Sequence, residues 1–359
     1  MAVGFLPRNK KGRTMSKRYR KLNMETMEAR QMMAGDVMAN VTGGTLYLNE
    51  ATGQAGRDNS VIVSQIAPGK IRVTGNSTTT DGTLSKINGA ASQDFNVTGG
   101  LVVRFGGGSD LIVFDQSAPP AFTNVDIDTA APPVLAQPLV KGATGITPLT
   151  TPDNDNVIMW GAKIAGNLTV NTGAGDDWVY VANTSIGGNV SINTGSGADT
   201  AQLENMVGTI GGNVDIQLYS SLAEKDADCA WLDHVYAYGN INARGGDGAD
   251  LLHLDNVTSY KDFNLDAGAG DDKLEINTVC AVDDFFAQMG DGNDAVTSNG
   301  LYIINGKTQI DGGAGTDSIT KTGAFPTAQL TQSSFEWVNG RPVGLLVNPV
   351  AIQPVMARV

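Results

Sequence analysis

What this chain has least of sets the first limits on it. Only two cysteines, Cys229 and Cys280, occur in 359 residues. Their spacing matches no zinc or redox pair, which leaves them as small core residues. Glutamate is scarce, with 7 Glu against 30 Asp. Glu favours helices, whereas Asp bonds to nearby backbone and favours turns and caps. With 45 glycines, that imbalance argues for many turns and little helix. No apolar run approaches the ~20 residues of a membrane-spanning helix. Also missing are a Ser–His–Asp order, an HExxH, a P-loop and a dinucleotide fingerprint. Cations are rare in the body of the chain. Nine of the 24 basic residues fall in the first 30 positions, and from residue 31 onward 15 basic side chains face 35 acidic ones, a net charge of −20. Such a body repels nucleic acid and anionic lipid and attracts cations.

What is abundant is a repeat. The pattern G-x-G-x-D occurs at 173–177, 195–199, 246–250, 268–272, 290–294 and 313–317. Its glycines are Gly173, Gly175, Gly195, Gly197, Gly246, Gly248, Gly268, Gly270, Gly290, Gly292, Gly313 and Gly315. Its aspartates are Asp177, Asp199, Asp250, Asp272, Asp294 and Asp317, at intervals of 22, 51, 22, 22 and 23. The long interval holds Asp228, 22 before Asp250, so one coil carries a seven-residue insertion; Asp155 lies 22 before Asp177, and an earlier GGGSD ends at Asp110.

Counted from each aspartate as zero, position +2 reads Val157, Val179, Ala201, Ala230, Leu252, Leu274, Val296 and Ile319. Position +4 reads Met159, Val181, Leu203, Leu232, Leu254 and Ile276. A second alternation precedes each next turn, as in Leu168/Val170 and Val190/Ile192. Like residues fall on like positions with period two, the pattern of strands stacked coil on coil about 4.8 Å apart. Asn167, Asn189, Asn213 and Asn240, then Asp262 and Asp284, precede the second strand and predict a ladder of side chains at that corner.

The fold expected is all-β: a parallel β-helix solenoid of ~22 residues per coil, about ten coils, with a C-terminal cap. The general chirality of parallel crossovers makes it right-handed. Residues 1–37 read as a basic export segment, 41–117 as irregular N-terminal coils, and 118–152 as a proline-rich loop or linker holding seven of the 13 prolines. Residues 153–325 form the regular array and 326–359 the cap and tail, with Phe335 and Trp337 positioned to plug the core. In the early coils Ile71 and Val73 stand at +13 and +15 from Asp58, as in the later ones.

Residues 17–36, "KRYRKLNMETMEARQMMAGD", resemble the planctomycete extracellular motif, a basic stretch followed by L-x-x-E-x-L-E-x-R-x-L-L-A-G-D. Leu22, Glu25, Met27, Glu28, Arg30, Met32, Met33, Ala34, Gly35 and Asp36 occupy its positions, with Met for Leu three times. The resemblance implies export to the cell surface or beyond. The body looks like the RTX, or haemolysin-type, repeats: GGDGADLLH (245–253) and GGAGTDSIT (312–320) fit their calcium-binding nonapeptide. It departs in having one such turn per 22 residues rather than nonapeptides in tandem. The resemblance implies Ca2+ at the six aspartates, with stacked turns sharing ions because calcium takes about six to eight oxygens. The inserted coil at Asp228 is expected to break that column.

Positions +1, +3 and +5 point outward. The +5 column holds Glu204, Asp233 and Asp255 on successive coils, near Trp178, Tyr180, Trp231 and His253. Aromatic faces beside paired carboxylates suit sugar rings and, at the right separation, glycoside chemistry. Solenoids, however, stack any outward residue, and a lyase needs a base, whereas Lys163, Arg244, Lys261, Lys273 and Lys307 lie on different columns. The reading is therefore a non-enzymatic, calcium-stabilised structural or adhesive protein. Its alternative is a carbohydrate-binding or polysaccharide-degrading one, with Glu204, Asp233 and Asp255 the candidate catalytic residues. Partners expected are calcium and extracellular polysaccharide or other surface proteins, with no nucleic acid and no membrane span.

Overall fold

The computed structural model describes residues 35–54, 56–77, 84–130, 154–220, 225–326 and 330–342. The export segment therefore lies almost wholly outside the described residues, as do most of the proline-rich segment and the C-terminal tail. Among the described residues there is no helix, and the strands form sheets of 13, 16 and 3 members.

One coil shows how the sequence builds the rest. Trp178–Ala182 lies in the larger sheet, here sheet 2, Ser185–Ile186 in the short sheet 3, and Val190–Ser196 in sheet 1. The next G-x-G-x-D turn returns the chain to sheet 2 at Thr200–Glu204. Each strand pairs in parallel with its counterpart one coil away: Val157 faces Val179, Val179 faces Ala201, Ala201 faces Ala230, and Ala230 faces Leu252. The column continues through Leu274, Val296 and Ile319. All of these are buried, so the +2 and +4 positions form one continuous core. The result is a parallel β-solenoid of about nine turns. A single coil has nothing to bury its apolar edge against, so stability is shared between neighbours.

Corners are set by local chemistry. Six positions after the turn aspartate the backbone is left-handed at Gly161, Asn183, Asn205, His234, Asn256, Thr278 and Gly300. Asn and Gly adopt that region at little cost. His234 and Thr278, with φ of 52° each, occupy it against their preference.

Both ends of the stack depart from parallel pairing. At the N-terminus Val37–Thr42 pairs antiparallel with Thr45–Glu50 at the edge of sheet 1. Ser60–Ala67, Lys70–Gly75 and Ser92–Asn96 form an antiparallel series at the edge of sheet 2. Ile71 and Val73 are buried but belong to a hairpin, not to a solenoid coil as their spacing suggested. Pro68 and Gly69, the latter at φ 69°, turn the chain back after Ala67, and this Pro-Gly pair outweighed the spacing. The segment read as a loop from 118 is strand at Ala121–Phe122 and Val125–Asp128, which pair with Lys163–Ile164 and Leu168–Ala174 and keep the stack continuous. At the C-terminus Trp337–Val338 pairs antiparallel with Arg341–Pro342. Phe335 is buried in the core, whereas Trp337 is 42 % exposed, so of the two Phe335 is the plug. Antiparallel ends blunt the open edges that a parallel stack would otherwise present.

Candidate functional site

The turn aspartates do not face solvent. Their side chains fold back into the turn, and each Oδ1 accepts a hydrogen bond from the backbone N–H of the equivalent aspartate one coil earlier. Asp110 donates to Asp155, Asp155 to Asp177, Asp177 to Asp199, Asp199 to Asp228 and Asp228 to Asp250. Asp250 donates to Asp272, Asp272 to Asp294 and Asp294 to Asp317, and every bond in the series is 2.7–2.9 Å. Asn59 donates into one end of this ladder and Glu336 accepts at the other. The inserted coil does not interrupt these hydrogen bonds, since Asp228 accepts from Asp199 and donates to Asp250, but its Oδ2 is not among the buried, donor-less oxygens found at Asp250, Asp272, Asp294 and Asp317.

Position −1 carries a ladder that runs the opposite way. The side chains of Asn154, Asp176, Asp271 and Asn293 accept from the N–H of the next coil's residue at Asp176, Ala198, Asn293 and Thr316. The third ladder is the one the asparagine spacing predicts: Asn167 Oδ1 accepts from Asn189, Asn189 from Asn213, Asn213 from Asn240, Asn240 from Asp262 and Asp262 from Asp284. Turn amides that strands cannot pair are thus paired along the solenoid axis.

The twelve repeat glycines all have φ between 92° and 159°. At Gly195 a Cβ would lie 1.7 Å from the Gly173 carbonyl oxygen of the coil below, so close coil-to-coil approach also requires glycine. The first glycine of the nonapeptide has a different reason. A Cβ on Gly245 would lie 2.3 Å from Asp250 Oδ2 and 2.5 Å from the Ala267 carbonyl oxygen. On Gly312 it would lie 2.6 Å from the Ser334 carbonyl oxygen and 2.7 Å from Asp317 Oδ2.

That shared space defines the chemistry of the site. Oδ2 of Asp250, Asp272, Asp294 and Asp317 is buried and has no hydrogen-bond donor. At Asp250 and Asp317 it faces a carbonyl oxygen across the glycine. Burial pushes the carboxyls upward: Asp199 and Asp272 to about 7, Asp228 to about 8, Asp250 and Asp294 to about 6. Neighbouring carboxylates add to the rise, and the ladder N–H opposes it. A buried carboxylate oxygen without a donor is satisfied by a proton or by a cation. Among the described residues no three His, Cys, Asp or Glu side chains converge closely enough to hold a metal. A cation here would take one carboxylate from each coil and complete its shell with carbonyls and water.

The outward face of sheet 2 assembles as the column spacing implied. Glu204 is in register with Asp233, and Asp233 with Asp255. Glu204 accepts from the Tyr180 hydroxyl at 2.9 Å and from Asn205 Nδ2 at 3.0 Å. Asp233 Oδ1 lies 2.5 Å from His234 Nδ1. The Tyr180 ring is 5.8 Å from Trp160 and 5.5 Å from Trp178, and its hydroxyl, buried beside Glu204, is pushed up to about 12. Trp231 stacks on His253 with centroids 3.7 Å apart. His253 Nδ1 donates to Glu275 at 2.6 Å, and Glu275 is held below the usual carboxylate range by Lys273 first and His253 second. The roles of Glu275 and Lys273 were not evident from the sequence, although their places at +3 and +1 of the next coil were countable. Cys229 and Cys280 are both free and half-buried rather than the core residues expected, and partial burial raises their thiols.

Residues 18–37 match the planctomycete extracellular family. This is an exported protein. The match covers the export segment only. No curated protein and no solved structure matches the chain, so the solenoid carries the remaining argument alone. No helix among the described residues is long and apolar enough to cross a membrane.

Proposed function

We propose that the chain is a non-enzymatic structural solenoid of the cell surface or its surroundings, and that its turns are stabilised by calcium. The observation supporting this is the buried, donor-less Oδ2 repeated along the ladder at Asp250, Asp272, Asp294 and Asp317. Calcium would neutralise these oxygens, with Asp177 and Asp199 as further members and turn carbonyls as co-ligands. In this reading the ladder serves twice: Oδ1 caps the coil before, and Oδ2 meets the ion. An exported setting supplies the calcium, and the net negative body draws it in.

The test is calorimetric titration of the full chain with calcium, beside thermal melts with and without chelator. Binding with a large rise in melting temperature supports the reading. Asp272→Ala should cost more stability in calcium than in chelator. Equal losses in both, or no heat of binding, would remove calcium and leave the ladder as backbone capping alone.

A second reading rests on sheet 2. The Trp160, Tyr180 and Trp178 cluster and the Trp231–His253 stack offer flat apolar faces beside Glu204 and Asp233, a surface suited to sugar rings. Hydrolysis is the less supported form of it, because Glu204 and Asp233 are both engaged by neighbouring side chains. Loss of glycan retention or hydrolysis in Trp231→Ala and Asp233→Ala would favour this reading, and indifference would disfavour it.

A further inference from the structure

The outward face of sheet 1 bears a groove that neither reading uses. One cavity of about 340 Å³ is lined by Arg244, Asn264, Asp266, Phe286, Gln288 and Gln309. A second of about 270 Å³ shares Asp266 and Gln288 with it and continues past Asp291 towards Asp311. The two adjoin on the same coils, the second lying nearer the turns.

Register explains its composition. One outward column runs Thr169, Ser191, Asp215, Asn242, Asn264, Phe286, Gln309. Six of these seven are small polar or amide residues, so Phe286 is an isolated, half-buried ring with an amide on the coil to either side. The parallel column runs Asn171, Asn193, Gln217, Arg244, Asp266, Gln288, Asp311. Arg244 is the one cation among these seven, and Arg104 stands farther up the same column, past Asp128. Arg72 and Arg104 each grip an aspartate, at 2.6 and 2.5 Å. Among the described residues Arg244 forms no ion pair, although Asp266 is one step away. A guanidinium without an acidic partner and a half-buried ring thus line one groove.

We propose that this trough binds a neutral polysaccharide, laid along the solenoid with one sugar over Phe286. The ring offers a face to the C–H side of a pyranose. Around it, Arg244 supplies donors only, Asp266 supplies acceptors only, and Asn264, Gln288 and Gln309 supply both, the mixture that vicinal hydroxyls require. The body's net charge of −20 and the nearby Asp266, Asp291 and Asp311 oppose an acidic polymer. The trough crosses four coils, from Arg244 past Asp266 and Gln288 to Gln309, a length of roughly three strand spacings of about 4.8 Å, which favours an extended chain over a small molecule.

Affinity electrophoresis of the full chain in native gels tests it. Hydroxyethylcellulose, xylan and glucomannan are the neutral probes, and polygalacturonate is the acidic one. At least one neutral polymer should retard the protein. Phe286→Ala should weaken that retardation by about tenfold, the equivalent of ~1.4 kcal/mol, and Arg244→Gln should weaken it too. Both side chains lie outside the core, so unchanged melting temperatures will show that folding is intact. Trp231→Ala on sheet 2 should retain the retardation. Loss in Trp231→Ala with none in Phe286→Ala would overturn the assignment in favour of sheet 2. Retardation by polygalacturonate alone, or by no polymer, would overturn it outright.

Discussion

Replacing Asp250 by Asn separates the two things its carboxylate does. Oδ1 accepts the Asp228 N–H at 2.9 Å, and an amide oxygen can do the same. Oδ2 faces the Ala267 carbonyl oxygen across Gly245, and an amide N–H placed there can donate to it. The charge is the part that is lost. Burial raises this carboxyl from 3.8 to about 6. The folded state therefore holds the proton more tightly than the unfolded chain does. The associated stability is fully present below about pH 4 and is lost as the pH climbs through 6. At pH 8 an ionised Asp250 costs up to about 3 kcal/mol at ~1.4 kcal/mol per unit. Relaxation and water at the turn should halve that, leaving a gain of about 1–1.5 kcal/mol for Asp250→Asn. Asp250→Ala instead strands the Asp228 N–H and should cost about 1–3 kcal/mol. Urea unfolding in chelator at pH 5 and pH 8 measures both. The expected order at pH 8 is Asn above wild type above Ala, with the gap between Asn and wild type narrowed to about half at pH 5. If Asn is as damaging as Ala at pH 8, Oδ2 is not a costly buried charge and the account of the ladder is wrong.

The remaining predictions use the same ladders and corners. In chelator the wild-type melting temperature should fall between pH 5 and pH 8, as Asp199, Asp228, Asp250, Asp272 and Asp294 lose protons at about 6 to 8; a flat profile would contradict the raised carboxyls. Thr278→Asn, at a corner with φ 52°, should stabilise by about 1 kcal/mol, since Asn tolerates the left-handed region better than a β-branched residue; a lower urea midpoint would refute it. Asn213→Ala removes the acceptor of the Asn240 N–H and should cost about 1–2 kcal/mol, read from the same unfolding curves. Gly195→Ala must place a methyl 1.7 Å from the Gly173 carbonyl oxygen at a φ of 103° and should destabilise by more than about 3 kcal/mol. Soluble yield and melting temperature would show it.

Much of this protein was legible in the order of its residues because a solenoid writes its fold in one dimension. A 22-residue interval, inward positions at +2 and +4, and asparagines before the second strand each reported a contact one coil away, and stacking at constant register made each the same contact everywhere. The export segment was legible for another reason: it is recognised as a string of residues. What the interval did not carry was direction within the turn. G-x-G-x-D reads equally as an ion-facing loop and as a capped turn, and only the stacked tertiary structure turns Asp177 to Asp317 inward, Oδ1 on the preceding amide. Asp228 joins them because insertion length matters less than where the chain re-enters the stack. The hairpin at Ile71 and Val73 and the exposure of Trp337 lie at the ends, where a coil has one neighbour instead of two and local turn chemistry overrules the repeat. The trough of Arg244 and Phe286 needs two columns side by side, a relation across the sheet that no count along the chain contains.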